Sequence, residues 1–180
     1  MVVKMNPISQ ASKRLGADFP VIVALGCNDK GNWESCEECL EAVLVHFEGE
    51  GLKLISRSSW WTSKAWPNPS DPPFINGVVV IETGWPPEDL MRQLMAIEDD
   101  FGRRRSVANA PRTLDLDLIA YGRTVCESDA LVLPHPRSAD RLFVMGPIAE
   151  ILPDWVHPVS GQTATALAAA ATIGADARPQ

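Results

Sequence analysis

The sequence predicts an α+β domain, and three observations carry that reading. Residues 21–25 (VIVAL) form a continuous apolar run ending at Gly26, and residues 74–83 are rich in β-branched side chains, so both read as buried strands. Residues 111–119 (PRTLDLDLI) alternate Leu114, Leu116 and Leu118 with Asp115 and Asp117, the period of two that marks a strand with one apolar and one acidic face. Two stretches of helical period lie between the strands, one with Leu40, Val43, Leu44 and Phe47, the other with Leu90, Leu94, Ile97 and Phe101. With a further strand after the first helix, the order becomes βαββαβ, the split βαβ or ferredoxin-like arrangement. An antiparallel-rich sheet with its helices on one face and long functional loops follows from it.

Taken in order, residues 1–19 show no sustained period and read as a flexible N-terminal extension. Residues 20–160 read as a single domain and residues 161–180 as a weakly structured, Ala-rich tail. A polar stretch, residues 28–32, leads into the first helix, with Asn32 as its N-cap and Gly49 and Gly51 as its stop. The second strand covers about residues 52–62. Residues 63–73 (SKAWPNPSDPP) then hold four prolines and no period, which in a domain this small suggests a functional loop or a disordered one. Pro86 and Pro87 open the second helix and Gly102 closes it. An Arg-bearing loop, residues 102–110, precedes the acidic strand, and Gly122 turns that strand toward an extended piece near Val125. His135 stands between two prolines in a rigid extended segment, and residues 142–151 form a short helix despite Pro147.

With 180 residues, 46% of them apolar and 22% charged, the composition is that of one soluble globular domain. No apolar run is long enough to cross a bilayer and the N-terminus lacks a secretory pattern, so the expectation is a cytoplasmic protein that engages no membrane. Cys36 and Cys39 form a CxxC pair without a second pair to complete a zinc site; Cys27, Cys36, Cys39 and Cys126 are expected as thiols lying partly in the core. A net charge of −7 argues against a nucleic-acid binder. The charge is uneven, however. Residues 1–102 carry eight basic and fifteen acidic side chains, whereas residues 103–141 carry seven arginines against five acids. A cationic island around two carboxylates suits a polyanionic substrate.

Asp115 and Asp117 point the same way, about 7 Å apart along the strand. At neutral pH two such carboxylates repel unless a cation lies between them or a pKa rises, and Mg²⁺ takes one or two carboxylates and completes its octahedron with water and phosphate. A solvated edge strand is the alternative, although Asp is poorly suited to strands. Arg103, Arg104, Arg105 and Arg112 lie just ahead of the pair, where guanidinium forks could hold phosphate oxygens or simply form a solvated basic loop. His135 could donate to a phosphate or cap a turn, and Arg141 adds a cation nearby. Phe74 and Asn76 share a strand face, an arrangement that can read a flat heterocycle by stacking and edge pairing, or can be a core Phe beside a solvent-facing Asn. Glu98, near the end of the second helix, is equally open. No glycine cradle for phosphates (Walker or GxGxxG) and no nucleophile triad is present.

Residues 110–122 (APRTLDLDLIAYG) resemble the signature of the 6-hydroxymethyl-7,8-dihydropterin pyrophosphokinases of folate synthesis. ALGCN (24–28), PPFING (72–77), IEDDFGRRR (97–105) and LPHPRSADRLFVMGPIAEILP (133–153) match in family order, so the resemblance covers roughly residues 20–155. It implies a ferredoxin-like fold and transfer of pyrophosphate from ATP to the hydroxymethyl group of 6-hydroxymethyl-7,8-dihydropterin, releasing AMP. It also implies that Asp115 and Asp117 hold two Mg²⁺ ions bridging the ATP phosphates. On the same grounds Asn76 recognises the pterin, Phe74 and Phe143 sandwich it, and Ser63 and Trp66 offer backbone contacts. Arg103 and Arg112 contact the phosphates, and Glu98, Arg105, His135 and Arg141 lie on the nucleotide side. The expected partners are these two small molecules, without nucleic acid or membrane, and a monomer is expected. Three departures stand out: Cys27 where a Ser is common, Ala108-Asn109-Ala110 where Arg-Trp-Gly is common, and Trp66-Pro67 in the pterin-side loop. The rival readings are a ligand-binding regulatory module, which leaves the arginines and paired acids unexplained, and another two-metal phosphotransferase, which calls for further acids.

Overall fold

The computed structural model describes residues 19–65, 70–102 and 113–180. In chain order the elements are β1 (Val21–Cys27), α1 (Cys36–Gly49), β2 (Lys53–Arg57), β3 (Trp61–Ser63), β4 (Phe74–Glu82) and α2 (Pro87–Asp100). After these come β5 (Asp115–Tyr121), β6 (Cys126–Glu127), β7 (Val132–Leu133), α3 (Leu142–Ile151), α4 (Ala164–Ala170) and β8 (Arg178–Pro179). The main sheet runs β5-β1-β4-β3-β8, with β2 also paired to β4, and its strand pairs are antiparallel. This is the ferredoxin-like order, with the first strand central and the acidic strand beside it. β6 and β7 form a small separate ribbon.

The helices cover both faces of the sheet, not one as the element order suggested. On one face Val23, Leu25, Val79, Leu116 and Leu118 pack against Leu40, Val43 and Phe47 of α1 and Leu90, Leu94 and Ile97 of α2. On the other face Ile22, Ala24 and Val78 pack against Val144, Met145 and Ile148 of α3 and Ala164 and Leu167 of α4. The physical reason lies in the strands themselves: β1 and β4 are apolar on consecutive residues, and such a strand is stable only when both faces leave water.

The start of α1 and the course of the second strand differ from expectation. α1 is capped by Ser35, whose Oγ accepts from Glu38 N (3.1 Å), while Glu38 reaches back to Glu34 N (2.6 Å); the Ser-x-x-Glu spacing, not Asn32, marks the start. The strand expected over residues 52–62 is broken into β2 and β3. At the break Ser58 N donates to Val78 O (2.9 Å) and Val78 N donates to Ser58 Oγ (3.0 Å), so the ladder to β4 continues through a side chain. Glu150 of α3 pins the break, accepting from Ser59 N (2.8 Å) and Trp61 Nε1 (2.9 Å). Burial alone would raise the Glu150 pKa, but the bonds from Ser59 and Trp61 outweigh it and hold the carboxyl below its usual range.

The tail after residue 160 is ordered by tertiary contacts. Thr163 Oγ1 caps α4 by accepting from Ala166 N (3.2 Å), Ala164 and Leu167 are buried against α3, and β8 adds to the edge of β3. A short Ala-rich segment has too little helix of its own to announce this; packing supplies the stability. Cys27 and Cys36 form a disulfide, with Cα atoms 5.5 Å apart, because the crossover from β1 places the first turn of α1 over the end of the strand. Cys39 and Cys126 are free, so the expectation of four thiols is corrected for the first pair. Burial pushes the Cys39 thiol pKa up to about 11, with Glu38 adding to the effect. Among the described residues no helix is long and apolar enough to cross a membrane.

Candidate active site

β5 alternates as its sequence demands: Leu116 and Leu118 point into the α1/α2 core, and Asp115 and Asp117 point to the opposite face. On that face β1 contributes Ala24, opposite Asp117, and Gly26, opposite Asp115; Gly26 is also opposite Asn76 of β4. The two small residues form a low floor between the carboxylates on one strand and Phe74 and Asn76 on another. A Cβ built on Gly26 would lie 3.5 Å from Asn76 Oδ1, 3.8 Å from Asp115 Cβ and 3.9 Å from Phe74 Cδ1. A cleft of about 440 Å³ opens above this floor, and Phe143 of α3 is part of its lining.

One wall is aromatic and amide in character. Asn76 is buried, and its Nδ2 donates to Ser63 Oγ (3.0 Å), which leaves Oδ1 directed over Gly26. The Arg141 guanidinium stands 5.6 Å from the centre of the Phe143 ring, a cation–π contact that ties the N-cap residue of α3 to an aromatic side chain in its first turn. Asn28, also buried, donates from Nδ2 to Pro72 O (3.2 Å) and so anchors the segment that delivers Phe74.

The other wall is ionic. Glu98 is buried to 1% exposure and accepts from Leu116 N (2.7 Å), the backbone N–H between the two aspartates, so α2 braces the strand that carries them. β5 is the edge of the sheet, and Glu98 supplies a hydrogen bond that a further strand would otherwise have made. The chain returns along this edge, where His135 N donates to Ile119 O (2.9 Å). The His135 Nδ1 accepts from Arg137 N (3.2 Å), which assigns the proton of the neutral ring to Nε2, 3.9 Å from Asp117 Oδ2. Burial lowers the His135 pKa; the Asp117 and Asp115 carboxylates pull it up, the Arg141 and Arg137 charges push it down, and burial prevails.

Asp115, Asp117, Phe74, Asn76, Ser63, Glu98, Arg141 and Phe143 therefore meet at one cleft, with His135 against Asp117. Arg103, Arg105, Arg112 and Trp66 lie outside the described residues. Sequence reasoning did not single out Gly26, Ala24 or Asn28, although all three fall in the ALGCN segment. The available signal was two small residues, two positions apart, in a strand otherwise made of bulky apolar side chains. It also did not single out Ile173, which lines the cleft from the tail.

Two hard carboxylate oxygen donors on one strand face suit Mg²⁺, which keeps coordination positions for water and phosphate; among the described residues no third His, Cys, Asp or Glu joins them in a metal cluster. An aromatic and amide wall beside a pair of carboxylates fits an α+β enzyme that moves a phosphate-type group onto a heterocyclic acceptor. The family model for 7,8-dihydro-6-hydroxymethylpterin-pyrophosphokinase (HPPK) matches residues 22–153. A 2-amino-4-hydroxy-6-hydroxymethyldihydropteridine pyrophosphokinase from a Synechocystis species is 46% identical over 152 residues, 81% of this chain and 75% of that protein. The enzyme of the same name from Pseudomonas aeruginosa is 34% identical over 160 residues, 88% of this chain and 96% of that protein. The crystal structure of a wild-type Plasmodium falciparum HPPK-DHPS shares the fold, with a TM-score of 0.61 at 14% identity over 84% of this chain; the match spans 44% of that longer chain. The chain belongs to the HPPK family, the pyrophosphoryl-transfer enzymes of folate synthesis.

Proposed function

We propose that the cleft binds 6-hydroxymethyl-7,8-dihydropterin between Phe74 and Phe143, with ATP beside it over Asp115 and Asp117. The acceptor's hydroxymethyl oxygen attacks the β-phosphorus of ATP and gives up its proton, the bond to the α,β-bridging oxygen breaks, and AMP leaves. The observation that supports this most is the register: Gly26 is opposite both Asn76 and Asp115, so recognition and chemistry lie two strand spacings apart, roughly 10 Å. A bicyclic ring lying on Gly26 with its edge at Asn76 Oδ1 directs its substituent toward the carboxylates. Positioning of this kind is a large part of catalysis by such enzymes.

Asp115 and Asp117 would hold two Mg²⁺ ions, which when bound neutralise the triphosphate and favour in-line displacement. Arg103 and Arg112 contact the phosphates. Glu98, Arg105, His135 and Arg141 make up the nucleotide side, with Glu98 holding β5 in place and His135 offering Nε2–H. Ser63 orients Asn76 and, with Trp66, completes the pterin side. On this reading the protein works as a monomer.

Incubation with ATP, Mg²⁺ and 6-hydroxymethyl-7,8-dihydropterin is expected to yield AMP in equal amount to pyrophosphorylated pterin. ADP as the nucleotide product would overturn the reading. Asn76→Ala removes a buried partner worth about 1–3 kcal/mol, so KM for the pterin should rise on the order of 10- to 100-fold. KM for ATP should stay within about twofold, which steady-state kinetics with each substrate varied in turn will check.

A further inference from the structure

The family match ends at residue 153, yet the last residues of the chain run along the aromatic end of the cleft. Asp140, just before α3, accepts through Oδ1 from Thr172 N (3.0 Å) and Thr172 Oγ1 (2.9 Å). Ile173 N donates to Asp140 O (3.0 Å), and Leu142 N donates to Ile173 O (2.9 Å), so residues 172–173 are laced to the N-terminus of α3 on both sides of Arg141. Ile173 thereby enters the cleft wall.

Gly174 comes next, at φ +70°, with no room for a side chain: a Cβ there would lie 2.5 Å from Phe143 Cδ1 and 3.1 Å from Cε1. Both its backbone conformation and this close approach favour glycine. Asp176 Oδ2 then accepts from Lys64 N (2.7 Å), the residue following Ser63, and Ala177 is buried. β8 closes the path by pairing with β3, Thr62 opposite Arg178, and Gln180 N donates to Trp60 O (3.0 Å).

We propose that residues 172–178 act as a strap that positions the pterin-side wall, with Gly174 setting the place of the Phe143 ring and Asp176 setting the backbone beside Ser63. Phe143 and Ser63 sit on elements far apart in the chain, α3 and β3, and the strap is bonded to both. Phe143 is backed by Gly174 at the start of the strap, and the Ser63–Lys64 backbone is held by Asp176 two residues later. The inference rests on the assignment of Phe143 and Ser63 to the pterin. Gly174 and Asp176 are positioning residues: they act through Phe143 and Ser63.

The test uses the full chain and compares Gly174→Ala, Asp176→Ala, Asp176→Asn and Phe143→Ala, reading KM for each substrate, equilibrium binding of 6-hydroxymethyl-7,8-dihydropterin, and the melting temperature. Gly174→Ala and Asp176→Ala should each weaken pterin binding about fivefold to tenfold, the scale of a misplaced stacking partner, with KM for ATP within about twofold. Asp176→Asn keeps an amide oxygen that accepts from Lys64 N–H and should restore wild-type pterin binding. Pterin binding unchanged in both Gly174→Ala and Asp176→Ala, while Phe143→Ala weakens it, would overturn the strap alone. So would equal losses for both substrates, or an Asp176→Asn variant as weak as Asp176→Ala. Phe143→Ala with undiminished pterin binding would instead overturn the pterin-side assignment, and the strap with it.

Discussion

Asp115→Ala and Asp117→Ala should each lower kcat for AMP formation on the order of 10³-fold without unfolding the protein. Charge neutralisation of a transferring phosphoryl group is worth several kcal/mol, and each 1.36 kcal/mol is tenfold in rate. Neither side chain supports the core: both stand half-exposed on the cleft side of β5, while Leu116 and Leu118 carry the packing. Removing either should therefore leave the melting temperature close to that of wild type. The second readout is Mg²⁺-dependent ATP binding, which should weaken in the same variants. AMP formation at wild-type rate by the double alanine variant would remove the carboxylates from the chemistry altogether.

Glu98→Ala should cost about 1–3 kcal/mol of stability, because the Leu116 N–H is left buried without its acceptor. For a chain of this size that is a fall in melting temperature on the order of 2–10 °C. Turnover should fall as well, on the order of tenfold or more, since the peptide that loses its brace joins Asp115 to Leu116 and sets where both carboxylates point. Glu98→Gln discriminates the cause. Its amide oxygen can still accept from Leu116 N–H, so it should keep most of the stability that Glu98→Ala loses. Equal destabilisation in the two variants would show that the 2.7 Å bond is not what Glu98 contributes.

Much of the site was readable because it is local. Asp115 and Asp117 follow a period of two, so their shared face follows from backbone geometry, as does the pairing of Phe74 with Asn76 on β4. The stripe of Leu90, Leu94 and Ile97 likewise located α2, and Glu98, next to Ile97, lies in a segment that resembles the family. What escaped notice depended on partners distant in sequence. Gly26 is ordinary in a strand until β4 and β5 are known to flank it. Glu98 is ambiguous from its helix alone, and its buried bond to Leu116 N depends on the edge of β5; Cys27 and Cys36 read as core thiols, and their disulfide depends on α1 lying over the end of β1.

The tail makes the contrast sharpest. Residues 161–180 hold few large apolar side chains, so no periodicity marks them as structured, yet they pack on α3, edge β3 and reach the cleft. By itself the sequence determined β1, β4, β5, α1 and α2, their order, and which of their side chains share a face, because these depend on torsions and spacings within a few residues. Tertiary structure alone decided that the acids of β5 and the amide of β4 face one another across Gly26, that Glu98 secures the acidic strand, and that the chain's end backs Phe143. Those outcomes come from register, close packing and pairing of edge hydrogen bonds, and such contacts between distant segments leave no periodic trace along the chain.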